Sequence, residues 1–199
     1  MTFRRSIVGV PLTLILAIAA PAGLVASHPA QAVQAKELIL QTAEVPRFKV
    51  AESHIVTNEQ LAHANKVGVS IFTREGRVTG YRIVYHRSTT SGIATITNTD
   101  AIYSSAAGAH RAYTEYATGV LKSFIRAQSA HVGDESLIFS HSQPIRGTMA
   151  IEAAIAFRAG QYRAYVAVAG TEGPTVIPQL VAYAQLVFKH MQRAGISTR

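Results

Sequence analysis

The chain has 199 residues, no cysteine, no tryptophan and a formal charge of +8, from 19 Lys and Arg against 11 Asp and Glu. Without cysteine there is no disulfide, no thiolate metal site, no cysteine nucleophile and no lipid anchor of the cysteine-borne kind. The basic residues are scattered and not interleaved with stacking aromatics, so nucleic acid is not an expected partner; an anionic envelope component, or another envelope protein, suits the charge better.

Residues 1–32 read as an export signal. Arg4 and Arg5 give a basic start, and Ile7 to Ala20 is an uncharged run of mostly Leu, Ile, Val and Ala. Ala30-Gln31-Ala32 then puts small residues at the two positions where a signal peptidase accepts only small side chains. Cleavage after Ala32 leaves a domain of residues 33–199, and a cut after Ser27 is the second choice. The lesser alternative is an uncleaved anchor. Residues 6–26 are apolar over roughly the 20 residues a spanning helix needs, although Gly9, Pro11, Pro21 and Gly23 interrupt the run. The domain is expected to be secreted or extracytoplasmic.

Val33 to Thr42 predicts a short helix, broken by Glu44-Val45-Pro46-Arg47-Phe48. Thr57, with Gln60 three residues on, predicts a capping box at the start of a helix reaching Ala64. Val67 to Phe72 is apolar and β-branched and predicts a strand, followed by a turn at Glu75-Gly76. Arg77 to Arg87 alternates, with Tyr81, Ile83 and Tyr85 on one face and Arg82, Val84 and His86 on the other. After a turn at Ser88 to Gly92, Ile93 to Thr97 resumes a strand.

Residues 104–127 carry the strongest helical pattern: Tyr113, Tyr116, Ala117, Val120, Leu121 and Phe124 recur at spacings of three and four, with Ser104 or Ser105 as cap. Val132 to Ser136 opens a strand that continues through His141, and Pro144 to Gly147 is a loop. Met149 to Arg158 and Tyr162 to Ala169 form a hairpin about Ala159-Gly160-Gln161. A last helix from Val176 to Ala194 has Ile177, Leu180, Val181, Ala184, Val187 and Met191 as its stripe and ends before Gly195. The predicted fold is α+β: one domain, an antiparallel β-sheet of about five to seven strands, with two principal amphipathic helices packed on it.

No catalytic signature is present. His54, His63, His86, His110, His131, His141 and His190 include no pair at the close spacing of a local metal motif. His86 and His141 fall on predicted strands that could bring them together across a sheet, but no third ligand is evident, and neither a metal nor a cofactor is expected. Asp134-Glu135 are adjacent and point different ways; they are expected to cap a turn or face Arg146 or Arg158. Ser136 lacks the Gly-x-Ser-x-Gly setting of a nucleophile elbow. The candidate ligand-binding residues are Tyr85 and Tyr162 as pocket walls, with Arg82 or Arg158 holding an acidic group. That site requires the four side chains to share one face.

Val132-Gly133-Asp134-Glu135-Ser136, then Ile155-Ala156-Phe157-Arg158-Ala159-Gly160-Gln161-Tyr162, then a terminal amphipathic helix, form a pattern similar to that of uncharacterised exported bacterial proteins. Glu44-Val45-Pro46-Arg47-Phe48 is placed like the acidic-x-Pro-x-aromatic start of such domains. Over residues 36–194 the chain resembles the Mog1/PsbP-like α+β sandwich. The resemblance implies an exported, often envelope-associated, non-enzymatic role and brings no catalytic residues with it. Families of this kind commonly carry a lipid-modified cysteine, which this chain lacks. The expected function is that of an exported non-catalytic binding or accessory protein. The alternatives are an envelope-associated hydrolase and an extracytoplasmic sensor or structural partner.

Mass spectrometry of the protein recovered after export is expected to show a chain starting at Val33. An intact Met1 start in the membrane fraction contradicts cleavage.

Overall fold

The computed structural model describes residues 29–90, 92–121, 124–126, 130–145, 148–170 and 176–196. Their strands form one antiparallel sheet: β1 (Lys49–Ile55), β2 (Arg77–Thr89), β3 (Gly92–Tyr103), β4 (Ile125–Arg126), β5 (Glu135–Ile145), β6 (Thr148–Ala159) and β7 (Tyr162–Gly170). The order across the sheet is β1-β2-β3-β7-β6-β5-β4. The helices are α1 (Pro29–Leu38), α2 (Asn58–Asn65), α3 (Ser70–Arg74), α4 (Ala106–Val120) and α5 (Val176–Arg193). The protein is therefore α+β, with a seven-stranded antiparallel sheet. Among the described residues no helix is long and apolar enough to cross a membrane.

Period-two alternation decides which side chains share a face. On one face lie Tyr81, Ile83 and Tyr85 of β2, Ile96 and Ile102 of β3, Ala164 and Val166 of β7, and Ile155 and Phe157 of β6, each set opposite the next in register. α1 covers the β2–β3 half of this face and α5 covers the β6–β7 half. α5 buries Leu180, Tyr183, Ala184, Val187 and Met191, the three-and-four spacing of a helix with one buried stripe. Fully burying side chains such as Leu180, Ile155 and Phe157 contributes roughly 1.5–3 kcal/mol each.

α4 lies on the other face, where Tyr113 packs with Leu137, Phe139, Ala154, Ala156 and Ala167. Its first turns approach closely because they are small: a Cβ on Gly108 would collide with the Glu75 carbonyl oxygen. Ser105 caps the helix by accepting from Gly108 N at 3.1 Å. The β1–β3 part of this face carries Lys49, His54, Arg82, His86, Thr95, Thr97 and Thr99, exposed or half-buried.

Two predicted elements differ, and one strand lies outside the predicted set. Val67 to Phe72 is not a strand: Lys66 turns left-handed at φ 54, Val67 N donates to Ala62 O, and residues 66–70 are exposed before α3. The edge of β2 is instead taken by β1, where the sequence predicts no strand. Its residues are almost all exposed and include Lys49, Glu52 and His54, so no apolar alternation marks it. The long helical pattern ends at Val120, which leaves Leu121 exposed, and Phe124 packs edge-on against Phe139 at 5.3 Å from beyond the helix. The capping box at Thr57 and Gln60 forms. α1 begins at Pro29, upstream of the Ala32–Val33 bond, and buries Ala35 and Leu38.

The segment after α1 is fastened to the sheet by buried polar groups. Leu40 N donates to Asn98 Oδ1 at 2.7 Å, and Tyr85 donates its hydroxyl to Leu40 O at 2.9 Å. His190 of α5 holds the same segment, with Nδ1 3.0 Å from Ile39 O and Nε2 2.9 Å from Glu44 Oε1. Asn98 also donates to Asp100 Oδ1 at 2.7 Å, while Asp100 Oδ2 is buried without a hydrogen-bond partner. Burial pushes Asp100 up to about 8, against the opposing pull of the Asn98 hydrogen bond.

With its folded pKa raised, Asp100 contributes stability that is complete below about pH 4, declines as pH rises and is gone above about 8. Asp100→Asn, isosteric with the neutral acid, is expected to be a few kcal/mol more stable than the parent at pH 7 and equal to it near pH 4. Urea unfolding at the two pH values measures this; a difference independent of pH contradicts a neutral Asp100.

Candidate functional site

At the end of the sheet where β5 begins, the motif Val132-Gly133-Asp134-Glu135-Ser136 wraps against the β6–β7 turn. Val132 enters the core. Gly133 has φ +69, and a Cβ there would collide with the Arg158 carbonyl oxygen, so both conformation and space require glycine. Asp134 N donates to that carbonyl at 2.7 Å. Asp134 Oδ2 accepts from Gly160 N at 2.8 Å and lies 2.9 Å from Arg158 Nη1. Ser136 donates to Ala130 O at 2.5 Å and accepts from Val132 N at 3.3 Å, which closes the turn before the strand.

Arg158 is the centre of the cluster. Its Nε donates to Glu135 Oε1 at 2.6 Å and its Nη1 to Gly160 O at 2.9 Å. The Arg158 side chain is 13% exposed and that of Asp134 is 5% exposed, so this ion pair is shielded and not a surface one. His110 of α4 places Nδ1 2.8 Å from the same Glu135 oxygen. Burial alone would raise Glu135, but the hydrogen bonds from His110 and Arg158 outweigh it and hold the carboxyl below its ordinary range. Tyr113 goes the other way: burial, aided by the nearby Glu135 charge, raises its hydroxyl, which stays a neutral donor.

Tyr113, Ala130, His131, Asp134, Glu135 and Ser136 line a cleft of about 470 Å³, in the size range of small-molecule sites. Glu135 Oε2 has no described partner, and Asp134 Oδ1 is buried without one. In a chain with net positive charge, this cleft presents carboxylate oxygens. Among the described residues no group of three or more His, Asp or Glu side chains is placed to hold a metal ion.

The four residues expected to form a pocket do not meet. Tyr85 and Tyr162 lie on the α1–α5 face and are buried there; Tyr85 bonds Leu40 O, and the Tyr162 hydroxyl accepts from Gln34 Nε2 at 3.0 Å. Arg82 and Arg158 point to the opposite face. Arg82 pairs with Glu52 at 3.2 Å on the β1–β2 edge, and Arg158 pairs with Asp134 and Glu135. Alternation forces the split between positions 82 and 85 of one strand. His86 and His141 do not meet either: β3, β7 and β6 stand between their strands, about 19 Å at ordinary strand spacing.

Of the expected facings for Asp134-Glu135, Arg158 is the partner found; Arg146 lies outside the described residues. His110, Tyr113 and His131 stand outside the candidate site residues that the sequence suggests. A signal for the first two existed, since positions three apart on a helix lie on one side and can meet a loop together.

No protein-family model and no curated protein matches the chain. Among solved structures, the extracellular domain of PknH from Mycobacterium tuberculosis is similar at 9% sequence identity and a TM-score of 0.49, over 84% of this chain and 97% of that one.

Arg158→Met is expected to cost about 3 kcal/mol in urea unfolding, because Asp134 stays buried without its cation. Adding Asp134→Asn to that variant is expected to recover part of the loss. Equal losses in the single and double variants contradict charge pairing as the reason.

Proposed function

We propose that the chain is an exported, non-catalytic binding or accessory domain, and that its ligand is a small organic cation bearing N–H donors, held in the cleft between Tyr113 and residues 130–136. The observation that carries this is the orientation of Asp134 and Glu135 by Arg158, beside a space of about 470 Å³. Glu135 is ionised and has a carboxylate oxygen to spare, while Tyr113 supplies a neutral hydroxyl; an ammonium or guanidinium group uses both. The export signal and the Mog1/PsbP-like resemblance support an extracytoplasmic accessory role. The hydroxyl of Ser136 is bonded on both sides within its own turn, which favours a binding role over that of a hydrolytic nucleophile.

Isothermal titration calorimetry with small primary amines, guanidines and matched carboxylic acids tests this. Amines or guanidines are expected to bind and acids not to. Glu135→Gln is expected to weaken binding about tenfold or more, the loss of one charge-assisted hydrogen bond, and Tyr113→Phe to weaken it by less. Preference for the acids, or affinity unchanged in Glu135→Gln, overturns the reading.

A further inference from the structure

Two donors share one oxygen of Glu135. Oε1 accepts from Arg158 Nε at 2.6 Å and lies 2.8 Å from His110 Nδ1. The Glu135 side chain is 27% exposed and that of His110 57%, so the carboxylate is sheltered while the imidazole meets solvent. Burial pulls the Glu135 carboxyl up, but the hydrogen bonds from His110 and Arg158 outweigh it and hold it below its ordinary range. An ionised carboxylate only accepts. His110 Nδ1 therefore carries the proton of this contact, and Nε2 is the ring nitrogen left to gain or lose one.

The state of Nε2 changes what the cleft offers. With Nε2 bare, His110 is a neutral donor that orients Glu135 and leaves its negative charge to the cleft. With Nε2 protonated, a full positive charge stands 2.8 Å from Oε1, and a cation arriving at Oε2 meets a carboxylate already neutralised on its other side. Arg158 orients Glu135 too, but a guanidinium keeps its charge at any relevant pH and cannot act as a switch. The other groups nearby come from four elements. The loop before β5 brings His131 and Asp134, of which Asp134 pairs with Arg158 and His131 makes no ion pair among the described residues. Tyr113, one turn along α4, stays a neutral hydroxyl because burial raises it, and Arg126 of β4 acts on it only at a distance. Arg163 of β7 is taken up by Ala112 O and the Tyr116 ring. The remaining charges of α4, Arg111 and Glu115, turn toward α3, where they meet Arg74.

We propose that His110 is a positioning residue for the cleft, acting through Glu135, and that its protonation weakens the hold on the organic cation, so that the domain binds near neutral pH and releases in acid. This rests on the cation reading of the cleft and adds to it a residue that does not line the space. The direction follows from the charges: affinity falls as pH falls. By linkage, the bound cation and the proton on His110 weaken each other by the same factor. Repulsion between two cations held on one carboxylate at a partly exposed site corresponds to about five- to tenfold in affinity.

Calorimetric titration with methylguanidine, a cation throughout, at about pH 8 and about pH 5 spans the range in which histidine side chains change charge. The parent is expected to bind about five- to tenfold more weakly at the lower pH. His110→Gln, which keeps a neutral donor but has no proton to gain, is expected to bind equally at the two pH values. His110→Lys, which fixes a cation beside Glu135, is expected to bind weakly at both. His131→Gln is expected to keep the parent's ratio. The ring nitrogen chemical shifts of His110 at about pH 8 are expected to show Nδ1 protonated and Nε2 bare. Absence of binding by the parent at either pH removes the cation reading and this proposal with it. Equal affinity of the parent at both pH values, a ratio that persists in His110→Gln, or one abolished in His131→Gln overturns the proposal alone and leaves the cation reading standing.

Discussion

Arg158 joins the parts of the molecule that make the cleft. It stands near the end of β6, bonds Glu135 at the start of β5, pairs with Asp134 in the loop before it and donates to Gly160 in the β6–β7 turn. Through Glu135 the same cluster reaches His110 on α4. One guanidinium suits this task because its donors are fixed in a plane and stay charged at any relevant pH. Two adjacent carboxylates at one sheet end would otherwise repel each other and resist burial. With Arg158 between them they take a set direction, and the cleft keeps its acceptors.

A similar economy of polar groups runs through the rest of the interior. A seven-stranded sheet has two faces to cover, and three helices do most of it: α1 and α5 on one side, α4 on the other. α1 is short and followed by irregular backbone, whose amide and carbonyl groups must find partners. Asn98, Tyr85 and His190 supply them. The buried Asp100 lies beside this fastening and weakens the fold at neutral pH. Arg77 offers a contrast: no carboxylate among the described residues pairs with it directly, burial lowers it to about 10, and it stays charged while donating to Val56 O and Asn58 Oδ1.

Much of the fold was legible because its central strands alternate cleanly. Tyr81, Ile83 and Tyr85 against Arg82, Val84 and His86 reads correctly from spacing alone, and so do the β6–β7 hairpin and the α5 stripe. β1 was not legible, since an exposed, charged edge strand lacks the pattern that marks a half-buried one. Val67 to Phe72 misled for the converse reason: its residues favour strands, but β1 takes the edge of β2 and the segment turns into α3 instead. The site failed at a further level. Alternation already separates Arg82 from Tyr85, yet which charged residues gather around a cleft depends on which helix crosses which strand end. Only the packing of α4 across β6 and β7 brings His110 and Tyr113 to Glu135.

The central claim is that the cleft is where the ligand sits. A crystal structure of the protein purified from its native host tests it most directly. The account predicts density in the cleft for a small molecule, with a nitrogen donor within hydrogen-bond distance of Glu135 Oε2 and of the Tyr113 hydroxyl. A cleft holding only water, with a co-purified molecule on the open β1–β3 face instead, would contradict it.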